Sequence, residues 1–188
     1  MKKRIIDRYA RNAAGELMID ITAERVEDLY DDYDKRSPYH KKELYQGLVD
    51  YISDSVSEIG KERFVIRFIF SERLDGELTA RVKKSFQNYF LYLRELEYRE
   101  LGRMSRTSLI LFVIGVSFLS LSVWVNRIIG ADDTVIYRVF AEGLTVAAWV
   151  SLWESLATFL INWVPHRRDI RLFGRIASAH LEFQVHSE

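Results

Sequence analysis

The chain has 188 residues, 27 basic and 27 acidic, with a formal net charge of zero. That balance gives no general attraction to nucleic acid or to an acidic substrate. Cysteine is absent, which excludes disulfides, thiolate nucleophiles and cysteine metal sites.

The length suits one compact domain plus a membrane element, and the charge is segregated. Two runs, Ser108 to Val125 and Val139 to Val164, hold most of the uninterrupted apolar length. The opening MKKRIIDRYARN is basic with no apolar run behind it. It reads as a loose arm over residues 1–15 and not as a signal peptide, so targeting falls to the internal runs. Glu16 to Thr22 alternates Leu17, Ile19 and Ile21 against polar neighbours and predicts a strand. Glu24 to Asp34 reads as a short acidic helix. Ser37-Pro38 predicts a helix start, serine as cap and proline in the first turn. That helix runs to about Glu58, with Leu44, Leu48, Tyr51, Ile52, Val56 and Ile59 near a 3.6-residue period and Gly60 as its stop.

Arg63 to Phe70 is β-branched and aromatic, a strand with Arg67 as its interior charge. Asp75-Gly76 closes the turn. Leu78, Val82, Phe86, Phe90, Leu93, Glu97, Leu101 and Met104 then recur at spacings of four and three. They form one helix face, apolar except at Glu97. No proline separates this helix from the first apolar run, so it continues to about Asn126, with Gly102 the expected kink.

Both apolar runs are long enough to cross a bilayer core of ~30 Å. In the first, Ser108, Gly115 and Ser122 recur every seven residues, a small-residue seam suited to closing a hairpin. The second carries Gly143, Ala147, Ser151 and Ser155 at four-residue spacing, a ridge suited to assembly of copies. Asp132 and Asp133 in the short connection are expected to cap the second helix. Arg138 precedes Glu142 by four residues and is expected to pair with it. Glu154 lies near the middle of its own run, where an ionisable group is costly and a site by default. No cation lies within either run, so the carboxyl is expected to be protonated, to hydrogen-bond serines such as Ser117 or Ser120 or a neighbour's tryptophan, or to line a wet cavity. Trp124 and Tyr137 suit the outer interface and Trp163 the inner one, whereas Trp149 and Trp153 are expected to pack.

Beyond Pro165, HRRDIRLFGR reads as a short basic helix that Gly174 interrupts or ends. Arg167, Arg168, Arg171 and Arg175 are expected to touch lipid headgroups. His180 to Val185 alternates like a third strand. Seven arginines flank the open end of the hairpin (Arg99, Arg103, Arg106 and the four just named), against Arg127 and Arg138 in the connection. This asymmetry expects both termini in the cytoplasm. The acidic run Glu27, Asp28, Asp31, Asp32 and Asp34 lacks the glycine and ligand spacing of a calcium loop and reads as a solvated face. His40, His166, His180 and His186 show no metal spacing, and no glycine-rich phosphate loop is present. No metal, cofactor or catalytic set is therefore expected.

The stretch AEGLTVAAWVSLWESLATFLINWVPHRR, residues 141–168, resembles one in a group of uncharacterised bacterial membrane proteins of similar size. They combine a soluble α/β part, a two-span hairpin and a basic segment after Trp-x-Pro. The resemblance implies a bacterial inner membrane location and no particular activity.

The expected fold is thus an α+β membrane protein: a two-helix transmembrane hairpin plus a small cytosolic α/β domain with about three strands. Residues 1–107 form the cytosolic domain and long connecting helix, 108–164 the hairpin, and 165–188 a basic helix and a tail strand that joins the N-terminal sheet. The expected role is a self-assembling structural or accessory subunit, a homo-oligomer or part of a larger membrane complex in contact with lipid. The alternative is a homo-oligomeric cation or proton channel that uses Glu154.

Overall fold

The computed structural model describes residues 6–39, 41–129 and 135–185. Its elements in order are β1 (Leu17–Ala23), α1 (Gln46–Ile59), β2 (Phe64–Phe70), α2 (Gly76–Ile129), α3 (Val135–Ala177) and β3 (His180–Val185). The chain divides into two compact units, Met1–Glu95 with Asp169–Glu188, and Leu96–Arg168.

In the first unit the three strands form one sheet in the order β1-β2-β3. Both pairings are parallel, with Ile19 beside Ile66 and Ile66 beside Leu181. Parallel neighbours need long crossovers, and helices supply them between consecutive strands. Alternation sets the faces. Leu17, Ile19, Ile21, Phe64, Ile66, Phe68, Phe70 and Leu181 turn inward onto Ile52, Val56 and Ile59 of α1 and Val82, Phe86 and Phe90 of α2. Phe68, Phe86 and Phe90 are almost fully buried, each contributing roughly 1.5–3 kcal/mol. On the other face Asp20, Arg67 and Glu182 share one row. Arg67 donates to both oxygens of Asp20, at 2.8 and 2.7 Å, which accounts for a charge inside the strongest strand.

Four local expectations are corrected. Within the described part of the arm, Ile6 and Tyr9 pack on the core, and Met18 N–H donates to the Ala10 carbonyl at 2.8 Å. Asn12 makes the bend, its side chain accepting from Ala14 and Glu16 N–H, with Gly15 at φ 79°. The acidic stretch forms only a 3₁₀ turn, Val26–Leu29. No helix starts at Ser37-Pro38. Asp34 holds that segment as a loop instead, accepting from the Ser37 hydroxyl at 2.8 Å and from Glu43 N–H at 3.2 Å. A bridge between Tyr30 and Leu44 closes the loop, and Lys42 is buried over the Tyr30 and Tyr39 rings. Finally, Pro165 and Gly174 lie inside α3, which continues to Ala177. A proline there forgoes one backbone hydrogen bond without ending a helix held on both sides.

Where the periodicity was strong, sequence and structure coincide. Gly60 ends α1 at φ 71°, its N–H on the Val56 carbonyl. Asp75 caps α2, accepting from Leu78 N–H at 2.5 Å. The helix is continuous through Gly102, the position of the expected kink.

Candidate functional site

The second unit contains the pairing of α2 with α3. Ser155 donates to the Ser108 carbonyl at 2.8 Å. Ser122 donates to the Ala141 carbonyl at 3.1 Å and meets the Thr145 hydroxyl at 2.7 Å. Midway, a Cβ placed on Gly115 would lie 3.2 Å from the Ala148 carbonyl and 2.8 Å from Leu152 Cγ. Each seven-residue step along α2 is therefore met by a seven-residue step back along α3. Ser108, Gly115 and Ser122 face Ser155, Ala148 and Ala141. Ala141, Ala148 and Ser155 are buried, as are Ser108 and Ser122. Small residues on both sides let the backbones approach closely, and Ser122 and Ser155 each donate across to a carbonyl of the other helix.

The same register continues downward. It levels Glu97 with His166, and these side chains meet at 2.5 Å, both about a quarter exposed or less. This explains the single charge in the apolar face of α2. Glu97 stands out in the sequence as the one charge on that face, but nothing along the chain points to His166 as its partner.

Register also sets the level of Glu154. It stands level with Leu109, at the Ser108 end of the apolar length the two helices share, and not at its middle. The cause is unequal runs: below Ser108, α2 bears Arg99, Arg103 and Arg106, whereas α3 stays apolar to Val164. The shared length from Ser108 to Trp124 is about 25 Å at the helical rise. Glu154 is exposed on the face away from the seam. Ser117 and Ser120, its expected partners, donate instead to the Val113 and Val116 carbonyls of their own helix, at 2.7 and 2.8 Å.

The remaining expected residues fall as follows. Gly143 is exposed with no atom within 4 Å of an added Cβ, and Ala147 and Ser151 are half-buried, Ser151 donating to the Ala147 carbonyl. Of that ridge only Ser155 belongs to the intrachain seam. Glu142 is exposed, and the Arg138 side chain lies outside the described residues, as do Asp132, Asp133, His40 and His186. Trp149 and Trp153, expected to pack, are 67% and 70% exposed. Arg167 stacks over the Trp163 ring at 4.1 Å. Arg175, grouped with the headgroup arginines on charge alone, belongs to the first unit. Its guanidinium donates to the Gly60 and Glu62 carbonyls and lies over Phe64. It therefore pins the end of α3 to the start of β2.

A polar cleft of about 290 Å³ lies in the first unit between the arm, β1 and α1. Two of its carboxylates are engaged, Asp20 by Arg67 and Glu58 by the Tyr9 hydroxyl at 2.7 Å. Among the described residues no three His, Asp or Glu side chains converge as metal ligands. Two helices are long and apolar enough to cross a membrane, and little of their most apolar stretches is buried. No protein-family model matches the chain, and neither does any curated protein or solved structure.

Proposed function

We propose that the chain is an integral protein of the bacterial inner membrane that self-assembles, or docks in a larger membrane complex. It crosses twice with both termini cytoplasmic and presents its α/β unit to the cytosol as a structural or interaction subunit. The observation that carries this reading is the inverted packing of the hairpin. Its line of closest approach is made of serine, glycine and alanine, with Leu152 beside it, while Leu109, Trp124, Val146, Trp149, Trp153 and Ile161 lie outward at 61% exposure or more. Such a surface suits lipid or another apolar helix and not water. The exposed Trp149 and Trp153, with Glu142 and Glu154 on the uncovered side of α3, support a second helix surface there. Arg167, Arg168 and Arg171 contact anionic headgroups at the inner interface in this reading.

The alternative, a cation or proton path through Glu154, requires that carboxyl at mid-depth. Its level opposite Leu109 favours the structural reading.

The native chain has no cysteine. Ala131→Cys and Ser187→Cys should therefore react with an impermeant reagent from opposite sides of the membrane, Ala131→Cys from outside. The full chain in lipid nanodiscs should be larger than a monomer and show no proton or cation flux in liposomes. Outside labelling of Ser187→Cys overturns the topology, and a strictly monomeric particle overturns self-assembly and leaves only docking on a different chain. Flux that Glu154→Gln abolishes would establish the channel instead.

A further inference from the structure

The sheet has two edges, and they are treated differently. Along β1 the arm covers the start of the strand: Met18 N–H donates to the Ala10 carbonyl, Asn12 N–H to the Glu16 carbonyl, and Arg11 bridges Leu17. Along β3 no strand pairs with the outer edge among the described residues. An unpaired edge is a template for another strand, and proteins normally blunt it with charged side chains (lysine above all), proline, a bulge, a very short strand or a covering helix or loop; of these β3 carries one charged side chain, Glu182. His180–Val185 contains no lysine and no proline, pairs with β2 in unbroken register, and at six residues is of ordinary length.

The side chains of β3 point the same way. Its inward row is Leu181, Phe183 and Val185. Burial falls along it, from Leu181 at 5% exposed to Val185 at 44%. Phe183 lies nearly parallel to Phe68, 5.5 Å away, and to Phe70, 6.5 Å away. A row of stacked rings thus ends at an open edge.

We propose that β3 pairs antiparallel with the β3 of a second copy, Phe183 opposite Phe183, joining two three-stranded sheets into one of six strands. This deepens the self-assembly reading above and rests on it. The strand is complementary to itself in that register, as a two-fold contact requires. Leu181 stands opposite the second copy's Val185 on the apolar face, and Glu182 opposite the second copy's Gln184 on the polar face, a carboxylate beside an amide donor. Shifting the pivot to Glu182 keeps the faces matched but sets two carboxylates directly opposite, which is destabilising. A six-residue edge covers less than the roughly 1,200 Å² of a free-standing interface. Confinement of both copies to one membrane supplies the effective concentration that such a contact needs.

The test uses the full chain in nanodiscs. Opposed residues in an antiparallel pair have Cα atoms about 4.5–5.5 Å apart, inside the window a disulfide accepts. Under mild oxidation Phe183→Cys should form at least about tenfold more dimer than Thr22→Cys, a solvent-side control on β1, because a disulfide closes only within that window. Glu182→Cys alone and Gln184→Cys alone should stay at the control level, whereas the two mixed should cross-link. The mixed pair leaves Phe183 in place and so guards against loss of packing in the first variant. Self-linking of Glu182→Cys above Phe183→Cys overturns the register. Linking of β3 cysteines to a different polypeptide overturns the choice of a second copy. No cross-link in a particle that is still oligomeric sinks the edge pairing alone, and a monomeric particle sinks the self-assembly reading with it.

Discussion

Replacing Gly115 by alanine should loosen the hairpin, although alanine is the better helix former. The added Cβ would lie 2.8 Å from Leu152 Cγ, 3.0 Å from Leu152 Cδ2 and 3.2 Å from the Ala148 carbonyl. Leu152 can turn only partly aside, and the carbonyl belongs to the backbone of α3, so the helices must part by a few tenths of an ångström. Overpacking of this kind costs about 1–3 kcal/mol. The gain in helix propensity, ~1 kcal/mol in water, opposes it. Gly102→Ala and Gly143→Ala separate the two effects, because an added Cβ at either position meets nothing within 4 Å. Both references gain propensity without the clash, so Gly115→Ala should fall below them by about 1–3 kcal/mol. All four tryptophans of the chain lie in the hairpin segment. SDS-driven unfolding in mixed micelles, followed by tryptophan fluorescence, therefore reports on that unit. Equal midpoints for the three variants would refute the close approach at Gly115, and with it the register.

Ser155→Ala removes the hydroxyl that donates to the Ser108 carbonyl and should lower the unfolding free energy from the same assay by about 0.5–1.5 kcal/mol; an unchanged value would mean the seam is held by packing alone. Arg175→Met keeps the aliphatic stem but leaves the Gly60 and Glu62 carbonyls without their donor. It should destabilise the first unit by about 1–3 kcal/mol and raise amide exchange around β2 and β3, and unchanged exchange would contradict the pinning role. Burial pushes the Tyr30 hydroxyl up to about 12 from its ordinary 10.0. The folded state then keeps its proton between those values while the unfolded state releases it. The stability this contributes is whole below pH 10 and is lost as pH rises toward 12, at up to about 1.4 kcal/mol per pH unit. Tyr30→Phe should flatten that part of the alkaline loss, and an unaltered profile would show that other groups cause it.

Much of the architecture was legible along the chain because it depends on local period. Phe64, Ile66, Phe68 and Phe70 alternate; Val82, Phe86 and Phe90 recur every four residues; and each pattern suits one kind of backbone. Ser108, Gly115 and Ser122 announced a seam because small side chains at seven-residue spacing share a helix face. What faces them was not legible. Ala141 and Ala148 are unremarkable in an apolar run, and Ser155 read as part of the four-residue ridge with Gly143, Ala147 and Ser151. Only the pairing of α2 with α3 placed it in a seven-residue line with Ala141 and Ala148. The level of Glu154 followed from that choice, since depth is a relation between two helices and not a position within one. Ser37-Pro38 offered a sound cap that tertiary contacts overrode, because Asp34 and the burial of Lys42 stabilise a loop there. Arg175 looked like its neighbours, since charge can be read in one dimension. Its partners, Gly60 and Glu62, stand more than a hundred residues away and are brought to it only by the fold.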